Sequence, residues 1–418
     1  MRFEILGGKT FSGEVKISGA KNNALKVLAS SLLFKNPITV KNVPLIEDVF
    51  RMTELLESLG VKIFKEKNTF VLDSKQVKNF ILNEKIAKRL RASIVLVGPL
   101  LTRFGKAVFP YPGGCVIGKR PIDIFLKGWE KLGVEIKEKN DLFNLKVNKL
   151  KGNEIIFKIP SVTATETILM TAVLAVGKTI IWNPAYEPEV LALIDFLNDS
   201  GAKIKIDEEK IEIFGNGGKM LVAKKPFEII PDRIEAGSFL ILGAALAKKL
   251  KILNCNPKHL MNVIGTLEDA GVSIKIGENF IEVSQPKKLL AVDIKTAEYP
   301  GFPTDLQAPF VALMTQAYGQ SMVFETIYEG RLNYIEDLNR MGAKIFMCDP
   351  HRIIIFGPTK LKGRKIESPD LRAGLAFVIA ALIARGKSII ENVYQIDRGY
   401  EQIDLKLQKL GLNIKRIN

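Results

Sequence analysis

Six times the chain writes the same ending: LLESLGVKI, WEKLGVEI, FLNDSGAKI, LEDAGVSI, LNRMGAKI and LQKLGLNI. In each, an amphipathic helix runs into a glycine, at Gly60, Gly133, Gly201, Gly271, Gly342 and Gly411, and a short strand follows. A glycine just past a helix takes the left-handed conformation without a Cβ penalty, so this is a helix stop. The copies recur about every 70 residues, longer than the roughly 20 to 50 of common solenoid repeats, so each copy is a sizeable α/β unit.

Upstream of each amphipathic helix lies a second kind of helix: AKNNALKVLASSLL, RASIVLVGPLL, ATETILMTAVLA, AGSFLILGAALA, DLQAPFVALMTQA and LRAGLAFVIAALIA. These are apolar and rich in small residues around nearly their whole circumference. A helix of that kind has to be buried on all sides. Strand-like segments such as NPITVKNVP, GKTIIWNPA and GKSIIENVY come next. One repeat therefore reads strand, buried helix, strand, surface helix and two strands. Helices inside imply sheets outside, the reverse of the usual α/β sandwich, and three repeats can close around one helix bundle. The expectation is an α/β protein of two such domains, with six βαβαββ repeats, three per domain. The boundary falls near Pro231, giving a first domain of residues 21–230 and a second of 1–20 plus 231–418, with the first strand of the chain completing the second domain.

Composition narrows the class. The chain has 418 residues, 47% of them apolar and 25% charged, as in ordinary globular proteins. Lys plus Arg is 61 against 45 Asp plus Glu, a net charge of +16, which suits anionic partners. The basic residues are spread out, without the dense blocks of a nucleic-acid tail. No signal peptide is visible, and no apolar run approaches the ~20 residues of a membrane span. Three scattered cysteines, Cys115, Cys255 and Cys348, make neither a disulfide framework nor a zinc pattern, and there are only two histidines. The reading is a cytoplasmic protein with no metal site.

Symmetry breaks where the buried helices begin. These positions carry Lys21 and Asn22, Arg91, Ser161 and Thr163, then Asp232, Arg233 and Glu235, then Thr304 and Asp305, and finally Asp370 and Arg372. The repeat makes them equivalent, so they gather at one end of each bundle, where helix amino ends favour anions. Two such ends facing each other would make a basic cleft between the domains. For Ser18, Thr304 and Asp370 the plain alternative is capping. For Lys21, Arg91 and Arg372 capping fails, because a cation there opposes the helix dipole and calls for an anion. Arg331 and Arg398 lie in connecting loops. Cys115 is presented in YPGGCVIGKRP, a Pro- and Gly-rich loop beside Lys119 and Arg120.

The segments SGAKNNAL, RASIVLVGPLLTRFG, PGGCVIGKRPID, PDRIEAG, FPTDLQA, ETIYEGR, DLRAG and IDRGYE span the whole chain. On them the sequence resembles the UDP-N-acetylglucosamine 1-carboxyvinyltransferases, enolpyruvyl transferases that open bacterial peptidoglycan synthesis. The resemblance implies the two-domain inside-out α/β barrel and a reaction between phosphoenolpyruvate and UDP-N-acetylglucosamine that needs no cofactor. It implies that Lys21, Asn22, Arg120 and Arg398 hold the phosphate of phosphoenolpyruvate, that Arg331 and Arg372 act near its carboxylate, and that Arg91 helps bind substrate. Arg120, Pro121, Ile122, Asp123 and Ile124 would hold the uridine diphosphate, with Ser161, Val162 and Thr163 beside it. The backbone at Ile327 would face the sugar, and Asp305 would be the base on its 3-hydroxyl. Cys115 would be the proton donor to C3, on a loop able to close over substrate. Cys255 and Cys348 would be structural. Phe125, Tyr111, Ile159 and Thr163 depart from the family pattern around the nucleotide.

Three rivals are weighed against this. A 5-enolpyruvylshikimate-3-phosphate synthase would share the fold and donor but lack the PGGC segment. A basic nucleic-acid-binding repeat protein would show aromatic platforms between basic residues. A structural β-solenoid would not place unlike charges at equivalent positions. Neither a nucleic-acid nor a membrane partner is expected, and the chain is read as a monomer or weak oligomer.

Overall fold

The computed structural model describes residues 1–113 and 121–417. They divide into two compact units, one of residues 1–18 and 231–417, the other of 19–113 and 121–230. Each has its own apolar core. Each also has three separate small sheets.

The wiring is clearest in the fifth copy. Strand Ile294–Lys295 lies parallel to Gly319–Phe324, because the inner helix Thr304–Met314 carries the chain back between them. Gly319–Phe324 then pairs antiparallel with Arg352–Gly357, which forms a hairpin with Ile345–Asp349. Burial alternates along Gly319–Phe324, with Ser321 and Val323 turned inward. That inner face rests on the helix of its own repeat.

The six inner helices are Lys21–Ser30, Val97–Phe104, Val162–Ala172, Arg233–Leu246, Thr304–Met314 and Leu371–Ile383. The last three pack on one another as a bundle. In the other unit Val97–Phe104 packs on Val162–Ala172, and the 3₁₀ turn before it meets Lys21–Ser30. Leu240, Phe310 and Phe377 are wholly buried. Burying each such side chain stabilises by roughly 1.5–3 kcal/mol. The glycines ending the outer helices all have positive φ, from 79° at Gly411 to 105° at Gly342, as the repeat requires.

Four departures from a uniform repeat are visible. In the second copy, Arg91–Leu96 is a 3₁₀ turn and the α-helix starts only at Val97. Pro99 suits this start: it has no N–H and falls in the first turn of the α-helix, where that donor would have no partner within the helix. The same copy has a three-stranded sheet, its fourth strand reduced to the bridge between Ile81 and Val108. In the sixth copy the missing strand comes from the start of the chain, where Arg2–Leu6 sits between Lys387–Glu391 and Asn413–Ile417. The first and fourth copies exchange strands. Phe11–Lys16 precedes the first inner helix but pairs with Ala247–Leu253 of the fourth copy. Phe227–Glu228 precedes the fourth inner helix but pairs with Ile38–Lys41 of the first.

The inner helices are also less apolar than their composition suggests. Lys26 and Glu166, from the first and third, form a buried ion pair at 3.0 Å. Burial pushes the Glu166 carboxyl up to about 7, with Lys26 pulling the other way. Among the described residues, no helix is long and apolar enough to cross a membrane.

Removing one partner of a buried pair strands the other charge, so Lys26→Met is expected to cost roughly 3–5 kcal/mol at pH 8. The loss should shrink at pH 5. A carboxyl whose folded pKa is raised holds its proton more tightly when folded, so acid favours the fold across the window from its ordinary value to about 7. In that window Glu166 is neutral and no longer needs the lysine. Urea unfolding at both pH values measures the difference; an equal loss at both would contradict it.

Candidate active site

The unit containing residues 231–417 brings two of its inner-helix amino ends together at Asp305. Pro303 precedes the fifth inner helix, and Asp305 lies in its first turn, where a negative charge suits the dipole. Its Oδ1 accepts from an Arg331 terminal nitrogen at 2.8 Å. Its Oδ2 accepts from Arg372 Nε at 2.9 Å and a terminal nitrogen at 2.8 Å, a two-point fork. Arg331 enters from a 3₁₀ turn, Glu329–Leu332. Both arginines are almost fully buried, while Asp305 is partly exposed. Burial opposes the charge on each guanidinium, but Asp305 more than offsets it, and both are held protonated more firmly than a free arginine.

Arg372 occupies the unfavourable place for a cation, inside the first turn of the sixth inner helix. Asp370 compensates as the N-cap, accepting from the Arg372 and Ala373 amides at 2.7 and 3.0 Å. Behind Arg372 the Tyr400 ring lies 5.4 Å from the guanidinium carbon, and its hydroxyl meets Ser238 at 3.0 Å. Arg398 closes a one-turn helix, Tyr394–Asp397, and bonds Gln395 at 3.0 Å. The next residue, Gly399, packs so tightly that a Cβ there would lie 2.5 Å from Leu371 and 3.6 Å from Arg372.

Capping holds for Asp370 but not for Thr304 or Ser18. Thr304 is the first helical residue, and its hydroxyl instead accepts from Arg331 at 2.9 Å and donates to Glu325 at 2.8 Å. Ser18 lies outside the helices and accepts from Lys406 at 2.8 Å. The amide of Ile327 donates to Glu325 at 2.8 Å.

In the unit of residues 19–230, Lys21 opens the first inner helix with its Nζ 3.4 Å from Asp48. Asn22, beside it, is partly exposed. Ser161 caps the third inner helix through the Ala164 amide at 3.4 Å, with Val162 and Thr163 following, partly exposed. Arg91 donates to the carbonyls of Pro112 at 3.3 Å and Pro121 at 3.2 Å, tying two points of chain that are nine residues apart. A side chain at Gly113 would overlap the Lys88 carbonyl. Pro121 and Asp123 are exposed, Ile122 is buried and Ile124 half-buried. Asp123 lies 3.7 Å from Lys127. Phe125 is buried and packs on Trp129, with ring centroids 6.1 Å apart. Cys115 and Arg120 lie outside the described residues.

The anions that Lys21 and Arg372 require are thus supplied from within the protein, by Asp48 and Asp305. Sequence reasoning did not single out Asp48, Glu325 or Tyr400, although Glu325 and Tyr400 sit inside quoted motifs. Among the described residues, no group of three or more His, Cys, Asp or Glu could hold a metal ion.

The two described thiols differ sharply. Cys255 is buried, with its thiol pushed up to about 11 by burial, whereas Cys348 is exposed. Only the thiolate reacts, so iodoacetamide at pH 8 should leave Cys255 untouched until the protein unfolds, while labelling Cys348 in the native state. Peptide mass spectrometry reads this directly, and native labelling at Cys255 would contradict it.

A family profile described as EPSP synthase (3-phosphoshikimate 1-carboxyvinyltransferase) matches residues 5–407. The UDP-N-acetylglucosamine 1-carboxyvinyltransferase of Desulforapulum autotrophicum is 42% identical over 100% of this chain and 99% of its own length. That of Campylobacter hominis is 43% identical over 99% of this chain and 98% of its own. Among solved structures, the enolpyruvyl transferase NikO from Streptomyces tendae aligns with a TM-score of 0.89 at 23% identity, covering 99% of this chain and 98% of that one. EPSP synthase from Acinetobacter baumannii aligns at 0.77 and 19% identity, over the full length of both. The two structures show the shared enolpyruvyl transferase fold, and the full-length relatives go further: this chain belongs to the UDP-N-acetylglucosamine 1-carboxyvinyltransferase family.

Proposed function

We propose that the chain transfers the enolpyruvyl group of phosphoenolpyruvate to the 3-hydroxyl of UDP-N-acetylglucosamine and releases phosphate, the first committed step of peptidoglycan synthesis. The observation that carries this reading is Asp305, a partly exposed carboxylate gripped by two buried arginines at a helix amino end. Such a group can take a proton from an alcohol, and the arginines beside it can bind a carboxylate.

In the addition step, Asp305 takes the 3-hydroxyl proton as the sugar oxygen bonds C2 of phosphoenolpyruvate. Cys115 gives a proton to C3, and the product is a tetrahedral ketal. In the elimination step C3 returns a proton to the Cys115 thiolate, the C2–O bond to phosphate breaks, the double bond returns, and phosphate leaves with the proton held by Asp305. Positive charge developing at C2 needs anionic surroundings, while the substrate's phosphate and carboxylate need fixed cations.

We assign the phosphate to Lys21, Asn22, Arg120 and Arg398, and the carboxylate to Arg331 and Arg372. Arg91 assists, tying the chain at Pro112 to that at Pro121. Residues 120–124 take the uridine diphosphate with Ser161, Val162 and Thr163, and the Ile327 backbone meets the sugar. The arginine forks now hold Asp305, and such a clamp weakens a base. An incoming carboxylate that shares those forks would restore Asp305's basicity, so donor binding would prime the base. We place the reaction in the cytoplasm, where a catalytic thiol stays reduced, with the chain acting alone or as a weak oligomer.

A coupled phosphate-release assay tests the acceptor. Turnover is expected with UDP-N-acetylglucosamine and none with shikimate 3-phosphate; turnover with the latter alone would refute the assignment. Asp305→Asn should lower kcat by about 10²–10⁴. Cys115→Ser should largely abolish turnover, because an alcohol is a far weaker acid than a thiol. Fosfomycin should alkylate Cys115, faster with the sugar nucleotide bound. An intact-mass adduct that maps to Cys255 or Cys348 would count against Cys115.

A further inference from the structure

Glu325 follows the strand Gly319–Phe324 and is completely buried, yet it contacts no cation directly among the described interactions. Four donors converge on its carboxylate. Oε1 accepts from the Thr296 hydroxyl at 3.1 Å, the Ile327 amide at 2.8 Å and the Tyr328 amide at 3.1 Å. Oε2 accepts from the Thr304 hydroxyl at 2.8 Å.

The direction of these bonds is fixed by elementary chemistry. An arginine can only donate, so Thr304 must accept from Arg331 and aim its one proton at Glu325. The Thr326 amide likewise donates to the Thr296 hydroxyl at 2.9 Å, and the nearer acceptor for that hydroxyl's proton is Glu325 at 3.1 Å, with the Phe324 carbonyl at 3.5 Å. With donors on every side, the group serves only as an acceptor.

Two consequences run outward from it. Along one, Glu325 orients Thr304, which orients Arg331, whose other nitrogen reaches Asp305. Along the other, the amides of Ile327 and Tyr328 both turn toward Glu325. In a trans peptide the carbonyl points opposite to the following N–H, so the Ile327 carbonyl turns away from Glu325. It then offers an acceptor to a donor group of a ligand.

We propose that Glu325 is the positioning residue for both substrates, aiming Arg331 at the carboxylate of phosphoenolpyruvate through Thr304 and presenting the Ile327 carbonyl to the sugar nucleotide. The inference rests on the function proposed above.

The two limbs separate by mutation. Thr304→Val, close to isosteric, breaks the Arg331 limb and leaves the Ile327 and Tyr328 amides on Glu325, whereas Glu325→Gln disturbs both. Steady-state kinetics of the full chain, with each substrate varied, should show KM for phosphoenolpyruvate raised about tenfold in Thr304→Val with KM for UDP-N-acetylglucosamine unchanged. Both KM values should rise about tenfold in Glu325→Gln. Circular dichroism at the assay temperature confirms that the variants are folded. General loosening would lower kcat or the thermal midpoint without that split. Equal effects of Thr304→Val on the two KM values, or both KM values of Glu325→Gln within twofold of the parent, would overturn the proposal. Should Glu325→Gln not fold, Glu325→Asp, one methylene shorter, takes its place on the same terms beside Thr304→Val. Absence of turnover in the unmodified chain would instead count against the proposed function itself.

Discussion

Everything in this fold follows from helices with no polar side. A helix apolar around its circumference gains nothing from a surface position and has to be enclosed. Leu371–Ile383 shows the result: nine of its side chains from Ala373 to Leu382 are buried, on the Thr304–Met314 helix and on the sheet behind. Once such helices fill the interior, the sheets can lie only outside, one face on the bundle and one in water. In the third, fifth and sixth copies an inner helix joins the parallel pair, and a hairpin closes each of the first five copies.

The same burial makes the amino ends of these helices the place where chemistry can be arranged. A helix start exposes unpaired N–H groups and partial positive charge, and its polar neighbours are held by a rigid bundle. Asp305 and Asp370 use that field favourably. Arg372 works against it: Asp305 holds its guanidinium, while Asp370 caps its backbone amide. A cation held against the dipole is balanced here by a carboxylate of the protein itself. Lys21 with Asp48 repeats the device in the other unit.

The helix-stop glycines and the apolar inner segments were legible because their signal is local: each lies within one turn or one helix period. The contrast between Asp370, a true cap, and Thr304, drawn instead into the Glu325 and Arg331 network, was not legible, since both residue types suit either role. Lys26 and Glu166 each interrupt an apolar helix, and nothing local marks them as partners. Only packing shows that they meet.

From its own sequence the chain determined the repeat, the burial of one helix in each copy, the helix ends, and the charged residues at equivalent starts. These depend on neighbours within a few residues, and propensity and period record such contacts. Tertiary structure alone decided which strand completes which sheet, as in the exchange of Phe11–Lys16 and Phe227–Glu228 between copies. It alone decided that Arg331 and Arg372, 41 positions apart, close on one aspartate. Pairings across such distances are selected by what the whole core can bury and satisfy at once, and no local pattern carries that information.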